Sequence, residues 1–578
     1  MQNEPQLEKA QNGGFLTKLG IYGKMSGPGW VQAAVTLGGG SLVGALYLGV
    51  IGGYEFLWLQ PLAMLCGIIM LSAISYVTLS CSERPFRVME KKVSPTLAWG
   101  WLIATVIADT VFCAAQFSLG RGALEDNLGI KPEWIISSGA NLGPYLITGS
   151  LFIIAMSLIS ISQKNAKASA FIDNILKVLV GVIVLCFMAV VVTLISKGAV
   201  QWGSLFSGLI PDVTALFRPT DQIAAAIAET GDTSFWTEYV TGEQRSKIIA
   251  AFGTAVGINM TFLLPYSLKK KEWGKQHREL SRYDLALGLF VPFVLGASAL
   301  VIASAASFHA KHADVLTADG MPLPGMESSY YKVVDKRLSI EHKATFEARK
   351  AAEKAYKTLK AEGGDAGELL KLESTIADQN VIISNARNTL PIEEKQLAGM
   401  LSNRGVKSLA VSLEPFLGKK SQTIFGIGVL AMAVSTLLVL MMMNGYAISE
   451  AFNKVGNAKY FILGAAMPAV AGFFSPYLWS GDAKAAMAIP ASVISTTLLP
   501  IAYLGFLLLM NSKSALGDQL PKKRGLINAL MIFSAGIASF ASVWALNSKG
   551  TPGMIGIVAL VALAVIGITG FKKNNKAA

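Results

Sequence analysis

Glycines and polar side chains interrupt two apolar segments that lie in corresponding places in the two halves of the chain. The first segment, GPGWVQAAVTLGGGSLVGALYLGV, contains three glycines at 38–40, and the second, IIAAFGTAVGINMTFLLPYSL, contains Asn259, Thr261 and Pro265. A helix that breaks inside a membrane frees backbone N–H and C=O groups, which are tolerated only where they line a cavity or bind a ligand. Paired breaks in two repeats are typical of a transporter binding site. The sequence therefore predicts a binding site between the two breaks.

The side chains at the breaks offer uncharged oxygen and sulfur ligands. Hydroxyl and amide groups, together with freed carbonyls, are neutral hard oxygens, whereas the thioether of Met260 is a soft ligand that favours transition metals. Neutral oxygens do not strip the water from Mg²⁺ unless a carboxylate is nearby. The chemistry leaves three occupants open, which are a hydrated ion, a monovalent cation and a small polar organic molecule.

One acidic residue lies near the middle of a predicted spanning helix. This residue is Asp109, in LIATVIADTVFCAAQF. An intramembrane carboxylate is by default a candidate for function, because burying it is costly. We interpret Asp109 as a proton-relay residue. The alternative is a structural carboxyl group that is hydrogen-bonded to the backbone or to a threonine such as Thr105.

Two other groups of charged residues are expected to have structural or solvated roles. His309, His312 and Asp314, in FHAKHAD, have a spacing that could bind a metal weakly, but a solvated segment is the favoured interpretation. Asp173 and Lys177 are four residues apart near the end of a predicted helix and are expected to pair on one face.

The composition places the chain among polytopic membrane proteins. Of its 578 residues, 52% are hydrophobic and 15% are charged, and the mean hydropathy is +0.49, whereas soluble chains carry about 25% charged residues. All four cysteines lie in apolar segments, so neither a disulfide framework nor a cysteine metal cluster is expected. The sequence contains no nucleophile–base group and no phosphate-binding glycine loop, so it predicts neither an enzyme nor a bound cofactor.

Twelve apolar stretches have the length that a membrane helix needs, roughly 20 residues. They lie at about 28–50, 55–80, 97–118, 143–162, 172–196, 246–268, 284–308, 422–446, 460–479, 484–510, 525–547 and 552–571. Basic residues concentrate in alternate connections, which the positive-inside rule assigns to the cytoplasm. Both termini are then cytoplasmic, in agreement with an even number of spans. The net charge of +13 is attributed to this topology in the lipid bilayer rather than to nucleic-acid binding.

A polar insert divides the spans into two groups. The predicted divisions are a cytoplasmic tail at 1–26, seven spans at 27–308, an extracytoplasmic insert at 309–421, five spans at 422–571 and a cytoplasmic tail at 572–578. Within the insert, EARKAAEKAYKTLKAE and AGELLKLESTIADQNVIISNARNTL predict two helices, which a turn at 363–365 joins into a hairpin. A structural or protein-binding role is expected for the insert, since nothing in it groups an acid, a base and a nucleophile.

Several short motifs, in their order and spacing, resemble the Nramp family of divalent-metal transporters. They are Gly27-Pro28-Gly29-Trp30, FLW at 56–58, IFGIGVLAMAVSTLLVLMMMNGYAISEAF in the eighth span, and Leu499-Pro500 followed by MNSKSALG. The resemblance covers most of residues 15–310 and 422–547. It implies an all-α polytopic membrane protein with the LeuT-type fold, in which two inverted five-helix repeats are followed by two extra C-terminal helices.

The predicted site departs from the family pattern at most of the ligand positions. The family's first-helix Asp and Asn correspond to Gly38 and Ser41, and its sixth-helix Met and His correspond to Asn259 and Thr261. A shift of one residue would instead retain Met260 as the sulfur ligand. Asp109 matches an Asp of the family's proton route, but Phe112 replaces the Glu that follows it. The substrate-binding residues that the resemblance implies are Gly38, Gly39, Gly40, Ser41, Asn259, Met260, Thr261 and Ser492, the last in place of a tenth-helix Gln.

The resemblance implies a secondary transporter of the bacterial-type inner membrane or plasma membrane. It would move a divalent metal cation by alternating access, as a symporter, with its site at the broken first and sixth spans. Two alternatives are a transporter of the same fold for an amino acid or a monovalent ion, and a membrane sensor that does not transport. In the sensor, the insert at 309–421 would be the working part and would bind a protein partner.

Overall fold

The structure, a computed structural model, describes residues 4–130, 136–137, 140–404, 408, 410–411, 414, 418–478 and 488–576. Within these residues the protein is helical, apart from an antiparallel pair of two-residue strands, Ile136–Ser137 and Ala140–Asn141. Eleven helices are long and apolar enough to cross a membrane, and one bent pair makes a twelfth span. The prediction of an all-α polytopic membrane protein with about twelve spans is confirmed.

The spans are numbered here from first to twelfth in chain order. Their helices are Pro28–Thr36 with Gly39–Gly52, Leu59–Ser80, Pro95–Gly122, Gly143–Ser162, Ala166–Ser196, Thr233–Ala255 with Ile258–Lys270, Arg278–Leu285 with Val291–Phe308, Ser421–Ala451, Ala458–Phe473, Ala488–Met510, Arg524–Asn547 and Thr551–Lys576. Wider π-helical turns extend the third span at Ala123–Asn127 and join the two parts of the seventh at Ala286–Phe290.

The remaining helices lie before the first span or in the connections between spans. They are Glu4–Gln11, Phe15–Met25, Pro85–Lys92, Trp202–Ser207, Asp221–Ala228, Glu327–Glu341, Lys343–Ala361, Ala366–Thr389, Ile392–Leu401, Ser475–Leu478 and Lys513–Leu516, with 3₁₀ turns at Val213–Leu216, Lys275–His277, Gly418–Lys420 and Gly517–Gln519.

The observed spans differ from the predicted ones mainly at their ends. The sixth span begins at Thr233 rather than at about 246, because Asp232 caps the helix by accepting a hydrogen bond from the backbone N–H of Phe235 at 3.0 Å. Its first three turns are polar and lay outside the apolar window that predicted the span. The predicted end of the ninth span and start of the tenth, at 479–487, lie outside the described residues.

Glycines allow the first span to approach its neighbours closely. A Cβ atom on Gly49 would overlap the Ser304 hydroxyl of the seventh span, and a Cβ on Gly29 would overlap the Asp284 carbonyl. Small residues at helix crossings permit this packing in membrane bundles. The first and seventh spans are therefore held against each other along both halves of the broken helix.

The two predicted insert helices are present as Lys343–Ala361 and Ala366–Thr389, joined by a turn. Tyr356 of one donates to Glu373 of the other at 2.6 Å, as expected for an antiparallel pair. The base of the insert packs on the sixth span through Glu394, a buried carboxylate. Its Oε2 accepts from Trp236 Nε1 at 3.0 Å and from Arg337 Nε at 2.8 Å. The insert is therefore attached to the N-terminal end of the sixth span, one of the two broken spans.

Candidate functional site

The first span breaks where its sequence predicts. Its helix ends at Thr36 and restarts at Gly39, with a bend of 53° between the two parts. Gly38 is extended at the break, and a Cβ atom on it would overlap the hydroxyl group of Thr436 in the eighth span. A residue with a side chain does not fit at position 38 in this packing, which explains the glycine there.

The sixth span also breaks, but at a different residue from the predicted ones. The interruption lies at Val256 and Gly257, both of which have extended backbone angles, and the helix resumes at Ile258. The expectation that Asn259, Thr261 and Pro265 form the break is wrong. All three lie inside the second helix, whose first N–H, that of Ile258, donates to Ser495 Oγ at 3.2 Å. A proline within a membrane helix is tolerated when its neighbours satisfy the freed groups.

A small cavity of about 20 Å³ lies between the two breaks. This volume is enough for one or two water-sized bodies. Of the predicted substrate residues, four line it, namely Gly40, Ser41, Asn259 and Met260. The two breaks therefore meet around one polar space, as their pairing in sequence predicts.

The other predicted site residues do not line the cavity but lie next to the residues that do. Gly39 donates its backbone N–H to Gln116 Oε1 at 3.0 Å, and Gly38 packs against the eighth span. Thr261 accepts a hydrogen bond from Trp101 Nε1 at 2.9 Å. Ser492 Oγ lies 3.1 Å from the position of a Cβ on Gly40. These contacts join the two broken spans to the third, eighth and tenth spans.

Asp109 lies one hydrogen bond away from the cavity. It is fully buried, and its Oδ1 accepts from Asn259 Nδ2 at 3.1 Å. Its Oδ2 is buried with no hydrogen-bond partner among the described residues. Thr105, the partner suggested for a structural role, instead donates to the Trp101 carbonyl at 2.9 Å. The carboxylate is therefore linked to the candidate site through Asn259.

Four polar lining residues were missed by the sequence analysis. Gln116 lies seven residues after Asp109, on the same face of the third span, and this spacing is the signal that could have found it. Thr436 belongs to the Ser-Thr pair of the eighth span, which was noted as a motif without a role. The remaining two, Thr36 and Thr254, each sit next to a break in the first or sixth span.

The candidate metal ligands outside the membrane are engaged elsewhere. Both carboxylate oxygens of Asp314 accept from Arg404 at 2.9 Å, and His309 Nδ1 lies 2.9 Å from the Val50 carbonyl oxygen. Over the described ranges, no group of three or more His, Cys, Asp or Glu residues is arranged to hold a metal ion.

The expected pair of Asp173 with Lys177 is wrong. Asp173 pairs with Lys271 at 2.8 Å, and Lys177 Nζ donates to the Ser26 carbonyl at 2.8 Å. Both contacts reach other elements, because the tertiary packing brings partners closer than the next turn of the same helix. The Lys177 bond reaches the start of the first span, where Asp284 also accepts from two backbone N–H groups of the GPG motif at 2.8 and 2.6 Å.

A buried carboxylate closes the bundle on the side of the basic connections. Glu450, at the end of the eighth span, is fully buried and accepts from Tyr266 of the sixth span at 2.7 Å. Arg84 and Arg87, from the connection between the second and third spans, pair with it at 2.7 and 2.8 Å. These contacts tie the second half of the broken sixth span to the eighth span.

Comparison with known proteins gives one family and one recurring fold. A model of the Natural resistance-associated macrophage protein-like (Nramp) family matches residues 29–323 and 381–548. The unmatched stretch between them, 324–380, holds most of the insert hairpin. No curated protein sequence matches the chain.

Among solved structures, a manganese transporter of Eremococcus coleocola, in complex with an aromatic bis-isothiourea substituted compound, is 14% identical. The match covers 95% of this chain and 94% of that chain, with a TM-score of 0.61. A mutant of that transporter matches with the same identity and coverage at a TM-score of 0.53. MhsT in complex with L-phenylalanine is 14% identical over 88% of this chain and 98% of that chain, with a TM-score of 0.45. The LeuT-type fold that the sequence resemblance implied is confirmed.

Proposed function

The chain belongs to the Nramp family, and on that premise we propose that it is a secondary transporter that moves a metal cation across a membrane by alternating access. One observation carries the proposal. The breaks of the first and sixth spans meet around a small polar cavity in the middle of the bundle. Discontinuous helices that surround a midplane site are the common design of this class of carrier.

The cargo is a metal cation for two reasons. The lining includes hydroxyl, amide and thioether groups that can coordinate cations, and the similar solved protein is a manganese transporter. Family resemblance favours a divalent cation. The neutral lining favours a monovalent cation as the second candidate, because the family's first-helix Asp is replaced by Gly38. An aspartate does not fit at position 38 in this packing, since a side chain there would overlap Thr436.

Alternating access requires the closed side of the bundle to open. The Glu450 contacts with Tyr266, Arg84 and Arg87 hold the second half of the sixth span against the rest. Release of the cargo toward this side therefore requires these contacts to break. We assign the role of proton relay to Asp109, whose Oδ2 is buried without a hydrogen-bond partner among the residues described.

The orientation follows from the charge of the connections. With the basic connections in the cytoplasm, both termini are cytoplasmic, and the Glu450 cluster closes the cytoplasmic side. The insert then lies on the opposite side of a bacterial-type inner membrane or plasma membrane, where its exposed hairpin is available to a protein partner. We assign the site to transport rather than to catalysis, because no acid, base and nucleophile meet at the cavity among the residues that the structure describes.

Uptake into proteoliposomes tests the proposal. The purified protein is reconstituted, and entry of Mn²⁺, Mg²⁺, Ca²⁺, Na⁺ and K⁺ is measured under an imposed pH gradient, with protein-free vesicles as the control. We expect saturable uptake of one class of cation that Asn259→Ala abolishes. Binding without uptake of any cation would instead favour the sensor, and uptake that Asn259→Ala leaves unchanged would remove the cavity as the site.

A further inference from the structure

Each of the four hydroxyl groups that line the cavity donates its hydrogen bond to another group of the protein. Thr36 donates to Met260 Sδ at 3.2 Å, and Ser41 donates to the Thr36 carbonyl. Thr254 and Thr436 donate to backbone carbonyls, at 2.8 and 3.0 Å. A hydroxyl carries one hydrogen and two lone pairs. These four groups can therefore offer only lone pairs to an occupant, which suits a cation and not an anion.

The amide groups of the lining are also largely committed. Asn259 donates to Asp109 and accepts from the backbone N–H of Met260 at 3.0 Å. Gln116 accepts from Gly39, and its Nε2 is left without a hydrogen-bond partner among the described residues. That nitrogen is an uncommitted donor beside the cavity, as is the second N–H of Asn259, and either can hold a water molecule beside a cation.

Among the described residues that line the cavity or contact the lining at Asn259, one is charged when ionised, the carboxyl group of Asp109. The lining residues themselves are all uncharged, and Asp109 lies directly behind Asn259. An ionised Asp109, fully buried with one oxygen unpartnered, needs a positive charge nearby. A singly charged cation in the cavity balances it, whereas a doubly charged cation leaves one charge uncompensated in a medium of low dielectric constant.

The cavity is too narrow in this conformation for an ion that keeps several of its waters. A volume of about 20 Å³ holds one or two water-sized bodies. Mg²⁺ keeps several of its waters when protein sites bind it. A bare alkali cation with one water fits the same space, and neutral hydroxyl oxygens can replace the rest of its hydration shell.

From these observations we infer that the central cavity selects a singly charged, largely dehydrated alkali cation of about the size of Na⁺. The inference rests on the proposed function and names the charge and class of its cargo. The oxygens of Thr36, Ser41 and Thr436 coordinate the ion, and Asp109 balances its charge through Asn259.

Thermal unfolding of the purified full-length protein in detergent tests this inference. NaCl, KCl, MgCl₂ and MnCl₂ are titrated at constant ionic strength, with choline chloride as the balancing salt. We expect saturable stabilisation by Na⁺ or K⁺ and none by the divalent cations. Asp109→Asn should weaken the Na⁺ response by about tenfold or more. Thr105→Val, which removes a buried hydroxyl outside the cavity lining, should keep the response of the unmodified protein.

A variant that adds a charge to the lining provides a second test. It predicts a new response to a different cation, which a variant that merely fails to fold cannot show. Ser41→Asp adds a carboxylate to the lining and should transfer the stabilising response from Na⁺ to Mn²⁺. Stabilisation of the unmodified protein by Mn²⁺ or Mg²⁺ to the same extent as by Na⁺, or by these ions alone, would overturn the inference and leave the proposed function standing. Failure of every cation to bind would overturn both.

Discussion

Filling Gly40 with a methyl group tests the packing of the candidate site. In Gly40→Ala the new Cβ would lie 3.0 Å from Thr254 Cγ2, 3.1 Å from Ser492 Oγ and 3.2 Å from Phe112 Cε1. These atoms belong to the sixth, tenth and third spans, so no single helix can move to relieve all three contacts. Overpacking of this kind costs about 1–3 kcal/mol, and the better helix propensity of alanine offsets at most about 1 kcal/mol.

The assay measures stability and cation response in the same samples. We expect Gly40→Ala to lower the free energy of unfolding by about 1–2 kcal/mol and to weaken cation-dependent stabilisation by about tenfold or more, since Gly40 lines the cavity. Gly181→Ala, in the fifth span, is the matched control, because its Cβ would meet nothing within 4 Å. If both variants behave like the unmodified protein, the close packing around the cavity is refuted.

Three further predictions concern the parts that surround the site. Asp109→Asn should remove the pH dependence of uptake, because asparagine does not titrate, and pH profiles in proteoliposomes measure this. Arg337→Met leaves the buried Glu394 unpaired and should destabilise the protein by about 3–5 kcal/mol in chemical unfolding. Burial lowers the pKa of His309, just beyond the seventh span, so stability should fall as pH drops through about 6.5; His309→Gln should flatten that fall in thermal unfolding.

Each of these predictions has a control or a contrary result. Arg349→Met removes a partly exposed pair with Glu353 and should cost less than about 1 kcal/mol. Equal losses for the two arginine variants would contradict the buried role of Arg337. An unaltered pH profile in Asp109→Asn would reduce that carboxylate to a structural group, and an unaltered stability curve in His309→Gln would mean that His309 does not titrate differently on folding.

The sequence predicted the spans and one of the two breaks because those features are local. Stretches of about 20 apolar residues identify a membrane helix without knowledge of its neighbours, and the glycine run at 38–40 breaks the helix where it stands. The break in the sixth span was misplaced from Gly257 to Asn259–Pro265. Pro265 was expected to break the helix, but it lies within one. The hydrogen bond from Ile258 N–H to Ser495, which is 237 residues away, leaves no pattern in the nearby sequence that could have been recognised.

The residues that complete the site were harder to predict for the same reason. Thr436 and Gln116 reach the cavity only because the eighth and third spans pack on the first. The pair of Asp173 with Lys271 likewise depends on tertiary packing, and the local i,i+4 rule pointed to Lys177 instead. By contrast, Asp109 was found from sequence, because a carboxylate within an apolar helix is unusual wherever it lies.

Calorimetric titration of the double variant Ser41→Ala, Asn259→Ala tests most directly whether the meeting point of the broken helices binds a cation. The unmodified protein should bind one cation per chain with saturable heat. The double variant, which loses one coordinating oxygen and the link to Asp109, should show affinity reduced by about tenfold or more. Unchanged affinity and stoichiometry in the double variant, with the fold intact, would contradict the account.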